Sequence, residues 1–526
     1  MEIITQLFLT ASLLLLFTWL LLHLLWPSPR RNPHVDRRSI PSPPARPVVG
    51  HLHLLGKPLH RSLAALAARH GGGAGLLALR FGARPVLLVS SPAAAAECFT
   101  VHDVALAHRP SSGLASRPPA GDEDGDDCPA IATAGYGPLW RHLRRLATVH
   151  ALCAHRLAAT AAARDAEARA MVAKLWRRAG GRGGAAPVAV KMAAYELVVN
   201  AIMAMVAGEL VSEGEVLRLK AMTEAAHAAA AAASRLDFLP ALRLLDLGRT
   251  ARRPAGLGRE RHRFGQSLLD DYRRRHPRGR GAGEEETPPT TTRTVIGDLL
   301  REQERSPESL DDVVIRTVCL SLLQAGTDTS SSTIEWAMAL LLSNPAVLKK
   351  ATAEIDSIVG TSRLLQESDL ANLPYLQCIV TETLRLYPIA PNLIPHEASQ
   401  EFILAGHVVA RGTVVMVDVY SMQRDPRVWD NTKKFVPERF LDPRTDEAND
   451  KLMMPFGMGR RKCPGEGLAL RIVGMLLGVL IQCFEWESIG EEVDMSEGSG
   501  ITMPMAVPLT AICRPRAKME SVLNVL

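Results

Sequence analysis

Residues 455–465 read Pro455-Phe456-Gly457-Met458-Gly459-Arg460-Arg461-Lys462-Cys463-Pro464-Gly465, and the fold of the whole chain turns on this stretch. Glycines at 457, 459 and 465 permit a tight, partly left-handed loop, and Pro464 ends backbone donation just past Cys463. One sulfur is thereby presented at the tip of a rigid turn, placed to ligate a metal. From Glu466 onward Leu468, Ile472, Met475, Leu476 and Val479 recur at helical spacing. Cys463 therefore falls just before a helix N-terminus, whose amides favour an anion and lower a thiol's pKa. A buried structural thiol is the plainer reading of a cysteine. Three cations in a row, Arg460, Arg461 and Lys462, would be costly beside an inert core sulfur but suit a thiolate with anionic groups close by.

Composition narrows the class. The 526 residues show no second composition after residue 50, which admits one large catalytic body. A hydrophobic content of 47% with both charge signs interspersed excludes a disordered chain. The net charge of +6 comes without a basic stripe or interleaved aromatics, so nothing points to nucleic acid. Eight cysteines without paired spacing argue against a disulfide framework and for a reducing compartment. His150, Cys153 and His155 form one close set, but no second pair completes a zinc site.

Residues 3–26 are apolar except for Thr5, Gln6, Thr10, Ser12, Thr18 and His23, and about twenty such residues suffice to cross a bilayer. No small-residue cleavage site follows, so residues 1–26 read as a retained anchor. Arg30, Arg31, Arg37 and Arg38 lie on its C-terminal side against Glu2 alone on the other, which leaves the body in the cytosol. Pro41, Pro43, Pro44 and Pro47 make residues 27–50 a stiff hinge, and residues 51–526 form the body.

Along the body, spacing predicts a helix over 58–69, strands over 76–81 and 84–90, and a helix from 92. Five acids among residues 121–127 read as a solvated bulge. Trp140 and Arg144 lie one turn apart on one helix face. Alanine-rich helices cover 156–175 and 218–236. The pattern breaks over 237–243, and 274–293 is a surface connection rich in Gly, Pro and Thr. A long apolar helix over 310–342 contains Ala325-Gly326-Thr327-Asp328-Thr329-Ser330. There the small residues would leave room for a ligand against the backbone, and a threonine would bond a preceding carbonyl and loosen the helix. Glu382 and Arg385 share a face of a helix over 375–387. Residues 389–395, apolar except for Asn392, read as a pocket wall, and 402–409 with 414–417 as strands.

The arrangement Phe-x-x-Gly-x-Arg-x-Cys-x-Gly, filled by Phe456, Gly459, Arg461, Cys463 and Gly465, resembles the haem-binding loop of the cytochrome P450 superfamily. Four further motifs follow the same family in the right order: Trp140-x-x-x-Arg144, the 325–330 oxygen-activation run, Glu382-x-x-Arg385, and Pro437-Glu438-Arg439-Phe440. The resemblance covers nearly everything past residue 40 and is closest to plant microsomal members. Within these it favours the branch containing isoflavone hydroxylases and grass herbicide-metabolising enzymes.

That resemblance implies a mainly α fold with a small β lobe, preceded by one transmembrane helix. It implies haem b with Cys463 as the metal ligand, and Trp140, Arg144, His396, Phe456 and Arg461 around the cofactor. Thr329 would hold oxygen and a water while Asp328 relays protons. Glu382, Arg385 and Arg439 would form a network that supports the cysteine loop, and Ser499-Gly500-Ile501-Thr502-Met503-Pro504 a substrate-contacting turn. Residues 237–243 would lie at an access lid. Electrons would come from NADPH through cytochrome P450 reductase, facing Arg460 and Lys462, with cytochrome b5 as a second donor. The site would be the cytosolic face of the endoplasmic reticulum, and the substrate a small hydrophobic metabolite or a herbicide. A reductase-independent isomerase or dehydratase would share the fold, but such relatives usually lose the threonine or enlarge the cysteine loop, and neither change is seen. A non-catalytic haem carrier would have no use for Thr329 beside Asp328.

Overall fold

The computed structural model describes residues 40–110, 129–239, 249–276, 293–308, 310–441 and 453–526, with Ser12 alone from the N-terminal stretch. The anchor at 1–26, the first part of the hinge, the acidic run at 121–127, residues 240–243 of the lid and most of the 274–293 connection lie outside the described residues.

Helices dominate, as the sequence leads one to expect. They are α1 (Leu59–His70), α2 (Pro92–Thr100), α3 (Pro138–Ala147), α4 (Ala161–Arg178), α5 (Val190–Ala207), α6 (Glu213–Phe238), α7 (Arg249–Arg275), α8 (Val295–Arg305), α9 (Asp312–Ser343), α10 (Pro345–Ile358), α11 (Pro374–Leu386) and α12 (Glu466–Cys483). The strands are β1 (Leu76–Phe81), β2 (Arg84–Val89), β3 (Ala186–Ala189), β4 (His396–Glu397), β5 (Phe402–Leu404), β6 (His407–Val409), β7 (Val414–Val417), β8 (Phe484–Ser488) and β9 (Thr510–Pro515).

The core is built on α9. Asp311 caps its first turn by accepting from the Val314 N–H at 2.8 Å, which satisfies one of the donors a helix start leaves open. Its residues are apolar on almost all sides because α5, α11 and α12 surround it. Two of these helices, α5 and α12, are long and apolar enough to cross a membrane, yet most of each is buried in the protein. They are core helices. The small lobe is a four-stranded sheet in the order β1-β2-β7-β4, with β2 parallel to β7 and the other pairs antiparallel.

One reading is adjusted. The helix before the lid does not break at 237 but runs on through Phe238, where the Phe238 carbonyl accepts from the Ala83 N–H at 2.8 Å and the two rings Phe81 and Phe238 meet edge to face. The His150, Cys153 and His155 set is ordinary surface: His150 Nε2 lies 2.7 Å from Glu302, and no cluster able to hold a metal occurs among the described residues.

The part of the hinge that is described is tied to the sheet. The Ala78 N–H donates to the Pro41 carbonyl at 2.9 Å. Buried His51 lies 2.8 Å from the Pro43 carbonyl through Nε2 and accepts from the Arg80 N–H at 2.7 Å through Nδ1.

Candidate active site

The cysteine loop forms because its backbone closes on itself. The Cys463 N–H donates to the Phe456 carbonyl at 2.9 Å, and the Gly457 N–H to Met454 at 3.0 Å. Gly459 makes the close approach possible: its φ is +69°, and a Cβ there would stand 2.5 Å from Asp103 Oδ1 and 2.8 Å from the Phe99 carbonyl. Phe456 packs against the main core. Helix α12 starts at Glu466, as the spacing predicts.

Among the seven described cysteines, all without a disulfide, Cys463 alone is exposed. Its thiol does not follow the simple helix-terminus expectation. Desolvation pushes its pKa up, and this outweighs the Gly465 amide, Arg144 and Lys462, which each favour the thiolate. The groups that favour negative charge are in place, and a cation bound at the sulfur would reverse the balance.

Around the loop, positive charge converges. Arg461 donates to three backbone carbonyls, those of Ala107 (2.7 Å), Ala134 (2.6 Å) and Ile131 (3.3 Å). Its guanidinium lies 4.4 Å from the centre of the Trp140 ring, and that of Arg144 lies 5.9 Å from the same ring. The Trp140 indole N–H donates to the Ile131 carbonyl at 3.2 Å, so what this residue offers the site is an aromatic face between two arginines. His396 sits on β4, buried, with Nδ1 2.5 Å from the Leu106 carbonyl; burial and Arg109 push its pKa down to about 3, so the ring is neutral.

Arg109 is the residue that sequence reasoning missed. It donates to the carbonyls of Ile394 (2.6 Å), Pro395 (2.9 Å) and Ala132 (3.1 Å), while burial and then Arg461 lower its pKa to about 9. Burial and then Arg144 lower Arg461 to about 10. Arg461 feels the repulsion of Arg144 and imposes its own on Arg109, and none of the three forms an ion pair among the described residues. Half-buried cations without a counter-ion are costly to desolvate, so an anionic ligand is what this cluster fits. An accessible sulfur beside it completes the donor set for an iron porphyrin with its two carboxylates.

On α9 the residues Gln324, Ala325, Gly326, Asp328 and Thr329 keep accessible surface in the middle of an otherwise buried helix. The Thr329 hydroxyl donates to the Ala325 carbonyl at 2.7 Å, the back-bond its sequence leads one to expect. Asp328 Oδ1 is 3.0 Å from Lys191 Nζ of α5, and Oδ2 accepts from the Thr502 hydroxyl at 3.4 Å. Gly326 corrects the reading of the small residues. A Cβ there would stand 2.7 Å from Ile202 Cδ1, so Gly326 serves the crossing with α5, and Ala325 is the small residue left exposed.

Behind the loop the expected network is present. Glu382 accepts from Arg385 Nε (2.6 Å) and Nη2 (2.9 Å), from Arg439 Nε (3.1 Å) and from the Val436 N–H (3.0 Å). Gln423 carries it forward: its amide donates to the carbonyls of Leu384 and Arg385, and its Oε1 accepts from the Met454 N–H at 3.2 Å. On the outer face, Arg460 pairs with Asp103 (2.7 Å) and Lys462 with Glu466 (2.6 Å), so both cations already have acids within the chain.

Comparison with known proteins agrees. The cytochrome P450 family matches residues 40–508. Cytochrome P450 81Q32 of Catharanthus roseus is 41% identical over 93% of this chain and 94% of its own. (+)-Piperitol/(+)-sesamin synthase of Sesamum radiatum is 40% identical over 92% of each. Isoflavone 3'-hydroxylase of Medicago truncatula is 38% identical over 90% of this chain and 92% of its own. With an accessible cysteine, its arginine cradle and matches that run almost end to end, this chain belongs to the cytochrome P450 family and is a monooxygenase.

Proposed function

We propose that this enzyme inserts one atom of O2 into a small hydrophobic plant metabolite, of flavonoid, isoflavonoid, other phenolic or terpenoid class, or into a xenobiotic such as a herbicide. Electrons come from NADPH through cytochrome P450 reductase, with cytochrome b5 as a second donor. Residues 1–26 anchor the chain in the endoplasmic reticulum membrane, 27–50 are the hinge, and 51–526 are the cytosolic catalytic domain. The relatives named as an isoflavone hydroxylase and as a piperitol/sesamin synthase support the phenolic class.

Haem b, when bound, supplies the oxygen chemistry. Cys463 would hold the haem iron through its sulfur, with the Gly465 amide, Arg144 and Lys462 favouring negative charge there. Arg109, Arg144 and Arg461, with the Trp140 face and neutral His396, would hold the cofactor carboxylates, and Phe456 packs the loop against the core. Thr329 holds a proton at Oγ1, which can turn from the Ala325 carbonyl toward the oxygen-binding face. Asp328, steadied by Lys191 and Thr502, would take up a proton from water on its carboxylate and pass it on to replace the one Thr329 gives up. The observation that carries this reading is the accessible surface kept by Ala325, Asp328 and Thr329 on an otherwise buried helix, in the same fold as an exposed cysteine.

The experiment is a mass-spectrometric product screen with microsomes containing this protein and a plant reductase, offered flavonoids, isoflavonoids, terpenoids and herbicides. Gain of one oxygen or loss of a methyl, dependent on NADPH and abolished in Cys463→Ala, is the expected result. No product from any class, despite a thiolate-type carbon monoxide spectrum, would overturn the substrate reading.

A further inference from the structure

A hairpin near the C-terminus is held by groups that the mechanism above does not use. Its two arms are joined by the Gly498 N–H on the Pro504 carbonyl (2.8 Å), the Ala506 N–H on Ser496 (2.9 Å) and a bridge between Glu497 and Met505. Its tip reaches the site. Thr502 meets Asp328, the Met503 N–H donates to the Ile389 carbonyl at 2.9 Å, and the Met503 carbonyl accepts from the Trp336 indole at 2.8 Å.

At the base, the Glu497 side chain is turned inward with only 2% of its surface exposed. Its carboxylate gathers donors from two other parts of the chain. His60 Nε2 and Arg61 Nε, both on α1, lie 2.6 Å from Oε2, and the Tyr420 hydroxyl donates to Oε1 at 3.3 Å. The His60 and Tyr420 rings pack with centroids 4.8 Å apart, and the Arg424 guanidinium covers the Tyr420 ring at 3.8 Å. A two-stranded hairpin has little stability of its own, so its position is set by what grips it. Charge-assisted bonds to a desolvated carboxylate are the strongest grip available here, and removing the charge would leave buried His60, and with it Arg61 and Tyr420, with only a weaker neutral acceptor.

We propose that Glu497 is a positioning residue for the reaction: through His60, Arg61 and Tyr420 it fixes the hairpin whose tip carries Thr502 and Met503, and so sets where the substrate lies and which of its atoms is attacked. The inference rests on the proposed reading of this face as the substrate pocket.

Its test is Glu497→Gln in the full chain loaded with haem, read by hydrogen exchange of residues 498–506 and by the product ratio from a substrate that the wild type converts. Exchange is expected to quicken about tenfold or more, as loss of a charge-assisted bond would give. Helix α9, the cysteine loop and the carbon monoxide spectrum stay unchanged, KM rises more than kcat falls, and the product ratio shifts about tenfold. Should Glu497→Gln not load haem, Tyr420→Phe and Arg61→Gln together give a smaller shift of the same kind. Unchanged exchange at 498–506 would overturn the anchor, and quickened exchange with an unchanged product ratio would overturn its role in positioning. The exchange measurement needs no turnover, so a wild type that converts nothing counts against the proposed function and not against the anchor.

Discussion

Glu382→Ala perturbs the largely buried charge network that backs the cysteine loop. Glu382 and Arg385 have no accessible surface, and the carboxylate is the acceptor of four bonds, three from guanidinium groups and one from the Val436 amide. Removing it leaves Arg385 with the backbone carbonyls of Gln423, Thr432 and Lys434 and no counter-charge among the described residues. Deleting one partner of a buried pair costs about 3–5 kcal/mol. Against a net stability of about 5–15 kcal/mol, that is about a fifth of the total or more. The damage would pass through Gln423 to Met454 and the loop. A surface control exists in Lys350, which pairs with Glu438 at 2.9 Å while half exposed, and Lys350→Ala should cost at most about 1 kcal/mol. Urea titrations followed by tryptophan fluorescence and by haem absorbance measure both. Equal losses in the two variants, or a Glu382→Ala protein that keeps its haem absorbance to the wild-type midpoint, would refute the reasoning.

Other outcomes follow from the same geometry. Gly459→Ala adds a Cβ 2.5 Å from Asp103 Oδ1 at φ +69°, so haem incorporation, read spectroscopically, should fall sharply while Gly457→Ala, whose Cβ meets nothing nearer than 3.8 Å, does less harm. Thr329→Val keeps the side-chain shape but removes the hydroxyl proton. Product formation should drop about a hundredfold while NADPH consumption continues as peroxide, assayed together. The Cys463 thiol sits above its ordinary range and must lose its proton to ligate iron, so haem uptake by the apoprotein should strengthen with pH, about tenfold per unit below the thiol's pKa. Glu497, held down to about 2 by His60 and Arg61 against the opposing effect of burial, lends stability that is complete above about pH 4.5 and fades as pH falls toward 2. Acid titration of wild type against Glu497→Gln should show that limb flattened in the variant.

Local rules made much of this site legible. Glycines, a proline and a fixed spacing decide the cysteine loop within eleven residues, and Thr329 back-bonds to Ala325 only one turn away. Glu382 and Arg385 share a helix face for the same reason. What the sequence hid is long-range. Arg109 meets the Arg461 environment across more than 300 residues, and Thr502 reaches Asp328 across 174. No periodicity encodes such contacts. Helix α5 escaped notice because it is buried on nearly every side, which erases the polar face that marks a surface helix. Gly326 was misjudged for a related reason: a small residue serves a ligand or a helix crossing equally well until Ile202 is seen against it.

The reduced carbon monoxide difference spectrum of the full chain, alongside Cys463→Ser, tests the central claim most directly. The account predicts a thiolate-type band in the wild type and its loss in the variant, with Arg461 and Trp140 unchanged in both. A thiolate-type band that survives Cys463→Ser, or a wild type that takes up haem without ever showing one, would contradict it.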